Sequence, residues 1–144
     1  MAIRDLHNNI HPVVAISPAA ARTDNTAIVS AIIDTRGYES LEFLINVGTN
    51  TDADVTFTVL VEDGDDAALA DNAAVADAQL LGTEALAGFT FADDVECRKI
   101  GYVGNKRYVR MTITPADNAA GNIFVDAIAV LGHPAMVPTA NPPA

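Results

Sequence analysis

Apolar residues recur at every second position in four stretches of this 144-residue chain, and that alternation limits what it can fold into more than any other feature. A side-chain period of two belongs to a pleated strand with one buried face and one wet face, because successive Cβ atoms point to opposite sides. In SLEFLINVG, Leu41, Phe43, Ile45 and Val47 share a face; in DVTFTVLVED, Val55, Phe57, Val59 and Val61 do so, with Thr56 and Thr58 opposite. In RYVRMTIT, Val109, Met111 and Ile113 point one way while Tyr108, Arg110 and Thr112 point the other. NIFVDAIAVLG is apolar on both faces except at Asp126, the pattern of a central strand. Weaker strands are expected at 13–17, 27–34, 89–91 and 99–103, making about eight.

Turn chemistry separates these segments: TRGYES, GTNTDAD, EDGDD, GNK and TPADNAAGN are rich in Gly, Asn, Asp or Pro. Many short strands joined in this way predict an all-β fold, a single-domain antiparallel β-sandwich that is jelly-roll-like. Residues 67–81, AALADNAAVADAQLL, suit either a short helix or an irregular loop. No internal repeat or linker divides the chain, so we read one domain over 13–132. Residues 1–12 form an N-terminal arm, and residues 133–144 form a C-terminal arm that four prolines keep from regular structure.

Composition narrows the function. A formal net charge of -11 and a pI near 4.3 argue against nucleic acid as a partner, since its binders present broad basic surfaces. No run of about eighteen apolar residues is present, as a membrane span requires, and the N-terminal stretch lacks a signal-peptide core. The chain is therefore expected to be made and folded in a cytoplasm. Cys97 is the single cysteine, which excludes an internal disulfide and a cysteine-based zinc site.

No residue pattern supports catalysis. Cys97, flanked by Arg98 and Lys99, is read as an ordinary strand-edge thiol. His7, His11 and His133 lie in the two arms without the helical spacing or the convergent ligands of a metal site. Asp63, Asp65, Asp66 and Asp71 could face a hard cation, but EDGDDAALADN departs from the calcium-loop pattern and reads as a solvated loop. We assign no catalytic residue, metal or cofactor.

One stretch stands apart in charge. Of eight Lys and Arg residues, Arg98, Lys99, Lys106, Arg107 and Arg110 fall in or just before IGYVGNKRYVRMTIT. Gly104 and Asn105 tolerate positive φ, so VGNKRY is expected to close a tight hairpin, with Tyr102 and Tyr108 near neighbours across the pair. Its cations form either a solvated face balancing nearby carboxylates or a contact with another subunit.

The same residues carry a family likeness. IGYVGNKRYVRMTIT, followed by IFVDAIAVLGHPAMVP, resembles the C-terminal half of small proteins encoded among the head genes of tailed bacteriophages and prophages, with the pattern GY-x-G-x-KRYVR-x-x-x-T and a strand ending in LGHP. DLHNNIHPVVAISPAA and DTRGYESLEFLINVG resemble the opening of that family. The resemblance implies a capsid cement or decoration protein, a structural virion protein bound to the outside of the head. Its partners would be the major capsid protein and itself, as a homodimer or homotrimer. The arm residues Ile10, Val13, Met136 and Val137 are then expected to bury themselves against capsid or a sister subunit, while Arg107 and Arg110 set register. Two other readings stand beside it: a carbohydrate- or ligand-binding β-sandwich module, for which exposed aromatics are scarce, and a head-completion or tail component.

Overall fold

A computed structural model describes residues 4–143. Each strong alternating segment becomes a long strand: β4 (Tyr38–Asn50), β5 (Thr56–Gly64), β10 (Tyr108–Ala116) and β11 (Ile123–Pro134). The weaker signals give β1 (Ile10–Ile16), β2 (Ile28–Val29), β3 (Ile33–Asp34), β8 (Phe89–Thr90) and β9 (Cys97–Tyr102). Two short strands, β6 (Ala73–Ala74) and β7 (Leu80–Leu81), and one short helix, α1 (Glu84–Ala87), complete the set with two 3-10 turns.

The strands build two antiparallel sheets. One runs β1-β11-β4-β9-β7; the other runs β2-β10-β5-β6, with β3 continuing along β10 and β8 beside β5. The pairing is nested: β1 pairs with β11, β2 and β3 with β10, β4 with β9, and β5 with β6 and β8. Long antiparallel pairs folded over one another in this way are a jelly roll, and the fold is the β-sandwich that the alternation implied.

The inward positions of both sheets meet in one core. Leu41, Phe43, Ile45 and Val47 from one sheet face Val59, Val61, Val109, Met111 and Ile113 from the other, all buried. Bulky and small residues lie side by side in register, Phe43 beside Ala129 and Ile45 beside Ala127, the interleaving that close packing of a core requires. At one side the rings of Phe57 and Phe89 stack at 4.3 Å.

Two local expectations change, and one open alternative is decided. The VGNKRY segment is not a hairpin: β9 pairs with β4 and β7 while β10 pairs with β5, so residues 103–107 carry the chain from one sheet to the other. Tyr102 and Tyr108 are not cross-strand partners. The crossing is held by Tyr102, whose buried hydroxyl donates to Asp63 at 2.7 Å and accepts the Lys106 N–H at 3.0 Å. Residues 27–34 do not form one strand. Ser30 interrupts them, its hydroxyl accepting the Met111 N–H at 2.9 Å and donating to the Ala31 carbonyl at 2.7 Å. Residues 67–81 take the irregular alternative and form no α-helix. They contain turns, β6, a 3-10 turn over Asp77–Gln79 and β7.

β1 begins at Ile10 and β11 ends at Pro134, inside the stretches read as arms. The C-terminal segment then folds back on the N-terminal one. The Thr139 N–H donates to the Asn8 carbonyl at 3.0 Å, and its hydroxyl donates to the Ile10 carbonyl at 2.6 Å.

Candidate functional site

The two outer faces differ. On the sheet containing β5 and β10, the outward rows are Thr58 beside Thr114, Leu60 beside Thr112 and Glu62 beside Arg110, a largely polar surface. On the sheet containing β4 and β11, one row reads Val14, Ile128, Leu44 and Lys99, and the next reads Pro12, Val130, Glu42, Gly101 and Leu81. Val14, Ile128, Leu81 and Phe124 are exposed there. β11 is the central strand its apolar pattern implied, lying between β1 and β4, and its outward apolar residues lie on this face.

A groove of about 540 Å³ crosses that face at one end. It is lined by Ser40 and Glu42 of β4, Val130 and Gly132 of β11, Leu81 of β7, and Asp5, Leu6, Asn9 and Ile10 from the N-terminal segment. A second groove, of about 460 Å³, shares Glu42 and Leu81 and extends toward Cys97 and Lys99. Glu42 lies where the two meet. Burial pushes its carboxyl above the ordinary glutamate value, only partly offset by Lys99. Gly101 makes room for it, since a Cβ at that position would lie 2.5 Å from Glu42 Oε2.

Ser40 and His133 face the same groove, with Oγ and Nδ1 2.8 Å apart. Among the described residues no carboxylate hydrogen-bonds the ring, so this pair can orient polar groups but lacks the third member that fixes a catalytic imidazole. His11 instead stacks on Tyr38, and His7 Nε2 lies 3.3 Å from Asn141 Nδ2. Among the described residues no three His, Cys, Asp or Glu side chains gather as metal ligands. The acids of the 63–71 loop are engaged within the chain: Asp63 accepts the Tyr102 hydroxyl, Asp65 pairs with Lys106, and the other two turn onto backbone amides. Asp66 accepts from Ala68 and Ala70, and Asp71 accepts from Asp65 and Asp66.

The positive stretch is neutralised within the chain. Arg107 makes a two-pronged contact with Asp34, at 2.9 and 2.7 Å, and lies over the Tyr108 ring. Arg110 pairs with Glu62 at 2.7 Å, their side chains 24% and 16% exposed. Lys106 pairs with Asp65, and Arg98 with Asp93 and Glu96. Of the five cations, Lys99 alone has no ion pair among the described residues.

The sequence-derived contact residues therefore fall into different settings. Arg107 and Arg110 are engaged at β10, while Val13 packs against the chain's own core. Ile10 lines the groove. Met136 and Val137 are 83% and 60% exposed and offer apolar surface. Glu42 went unnoticed in the sequence. A lone glutamate in an alternating strand reads as an ordinary wet-face residue, and only the register opposite Gly101 shows that it is partly enclosed.

No family model matches the chain, and no curated protein does. Among solved structures it is similar to the xylan-binding module CBM15, with TM-score 0.42, 10% identity, and 92% of this chain and 95% of that one covered. It is also similar to a Clostridium thermocellum xylanase 10B chain carrying CBM22-1 and GH10 modules (0.44, 11%), of which it spans 28% while 94% of this chain is covered. A chain from infectious bursal disease virus, Gx strain, gives 0.44 and 9%, covering 90% of this chain and 35% of that one. Likenesses at these scores carry no argument about function.

Proposed function

We propose that the chain is a structural virion protein, a cement or decoration protein that binds the outside of a tailed-phage head and strengthens contacts between major capsid subunits. The observation that carries this reading is the outward apolar face of the β4 and β11 sheet, which joins the exposed Val14 and Ile128 with the half-buried Leu44 in one row. Contiguous exposed apolar surface on a strongly acidic domain marks a contact with another macromolecule. The sequence resemblance over 100–114 and 123–138 supports the same role. Met136 and Val137, both exposed, add further apolar surface, and self-association into a dimer or trimer suits a lattice of repeated subunits.

Arg107 and Arg110 keep at most a secondary part, because each is already held by a carboxylate of its own chain. Heads assembled without the protein test the proposal. Mixed with the purified chain and pelleted, they are expected to retain it to a fixed saturating ratio. Protein left in the supernatant at all concentrations overturns the reading.

A further inference from the structure

We propose that the groove over Glu42 is a docking site for a lysine or arginine side chain presented by an extended segment of a partner protein. Glu42 is unlike the other half-buried or buried acids of the chain. Asp63 accepts the Tyr102 hydroxyl, Asp52 accepts the amides of Asp54, Val55 and Ala120, and Glu62 holds Arg110. Glu42 makes no hydrogen bond or ion pair among the described residues. A partly enclosed carboxylate without a donor is poorly compensated for its lost water, and a cation arriving from outside supplies that compensation.

The surroundings select the shape of the cation. Leu6, Ile10, Leu81 and Val130 give the groove apolar walls, which suit the methylene stem of a long basic side chain while its head meets the carboxylate. The volume of about 540 Å³ lies within the usual range of ligand clefts, roughly 300–1,000 Å³, and leaves space for residues flanking the cation. Ser40 and His133 stand at the groove to meet a peptide backbone. Lys99, in register with Leu44 on the neighbouring strand, stays unpaired rather than filling the place. The net charge of -11 draws basic segments toward the molecule. Glu42 then fixes where on the apolar face they settle.

The identity of the partner as a capsid subunit rests on the reading above. The groove itself can be tested without capsids, so the two claims fail separately. The probe is the blocked peptide acetyl-Ala-Ala-Lys-Ala-Ala-amide, titrated into the isotope-labelled full chain and followed by amide NMR shifts. Saturable shifts are expected at Glu42, Gly101, Leu81 and Val130. The norleucine counterpart should bind about tenfold more weakly or not at all, since it keeps the stem and loses the charge. Glu42→Gln should weaken the lysine peptide by a similar factor without lowering the melting temperature. Leu81→Lys, at an exposed edge position, should block the groove with a cation of its own. Shifts spread evenly over the Asp-rich loops overturn the proposal, as does equal affinity in Glu42→Gln. Free lysine amide binding as tightly as the peptide would assign a small-amine site instead and overturn the partner segment. A concentration-dependent dimer that occupies Glu42 would assign the groove to a second copy and overturn it too.

Discussion

Tyr102 shows how one side chain can hold a crossing between sheets. Its ring is buried, burial and the neighbouring Asp63 push its hydroxyl well above the usual tyrosine range, and the same oxygen serves two partners across 103–107. Tyr102→Phe leaves Asp63 and the Lys106 N–H without their partner, a loss of about 1–3 kcal/mol. The expected fall in melting temperature is roughly 3–10 °C for a chain of this size. Arg107→Ala should leave the melting temperature unchanged, because its ion pair is exposed and screened. Equal effects from the two substitutions would contradict this account. Glu42 contributes a pH dependence of definite sign. Its carboxyl sits above the ordinary 4.5, so the native chain holds that proton longer than the unfolded one, and stability falls as pH rises from 4.5 through the native value. Asp34 and Asp71 have the opposite sign. Arg107 holds the first, and the Asp65 amide the second, below 3.8, so their contribution is present above 3.8 and lost as pH falls through the lower native values. Melting curves of the native chain and Glu42→Gln should therefore diverge in favour of the variant as pH is raised from about 4.5 to 7. A constant difference across that range would contradict the enclosure of Glu42.

At the scale of elements, the crossing between β9 and β10 makes a direct prediction. NMR contacts between strand backbones should link Gly101 to Glu42 and Leu81, in line with their register, and none should link β9 to β10. Cross-strand contacts between Tyr102 and Tyr108 would restore the hairpin. The long strands were legible in the sequence because a period of two survives whatever the strand pairs with, and Phe43, Val61 and Met111 lie where alternation put them. Partners were not legible. Gly104 and Asn105 turn a chain equally well between adjacent strands and between stacked sheets, and only the nested pairing decides which. Ser30 was invisible for a related reason. Its hydroxyl replaces part of the backbone ladder at Met111, and nothing in the local sequence VSAI announces that role. The helix at α1 had a readable cap, Thr83 accepting the Leu86 N–H at 3.1 Å. However, Glu84 is spent on the Val61 N–H of β5 at 2.8 Å, a contact between segments far apart in the chain. The candidate groove was hidden in the same way, since Glu42, Gly101 and Leu81 come from three separate strands.

For the whole molecule, the asymmetry between a polar threonine-rich sheet and an apolar one gives the domain a direction. In the proposed role the apolar sheet and the segment carrying Met136 and Val137 face the shell, and the threonine face looks to solvent. Both residues are exposed, so Met136→Ser combined with Val137→Ser should leave the fold and melting temperature intact while lowering retention on heads. Full retention would remove the C-terminal segment from the contact. The central claim is met most directly by cryo-electron microscopy of heads incubated with the purified chain. Jelly-roll density is expected at equivalent positions over the outer surface, with the β4 and β11 sheet turned toward the capsid. Heads bare of such density, under conditions where the chain is folded and in excess, would contradict it.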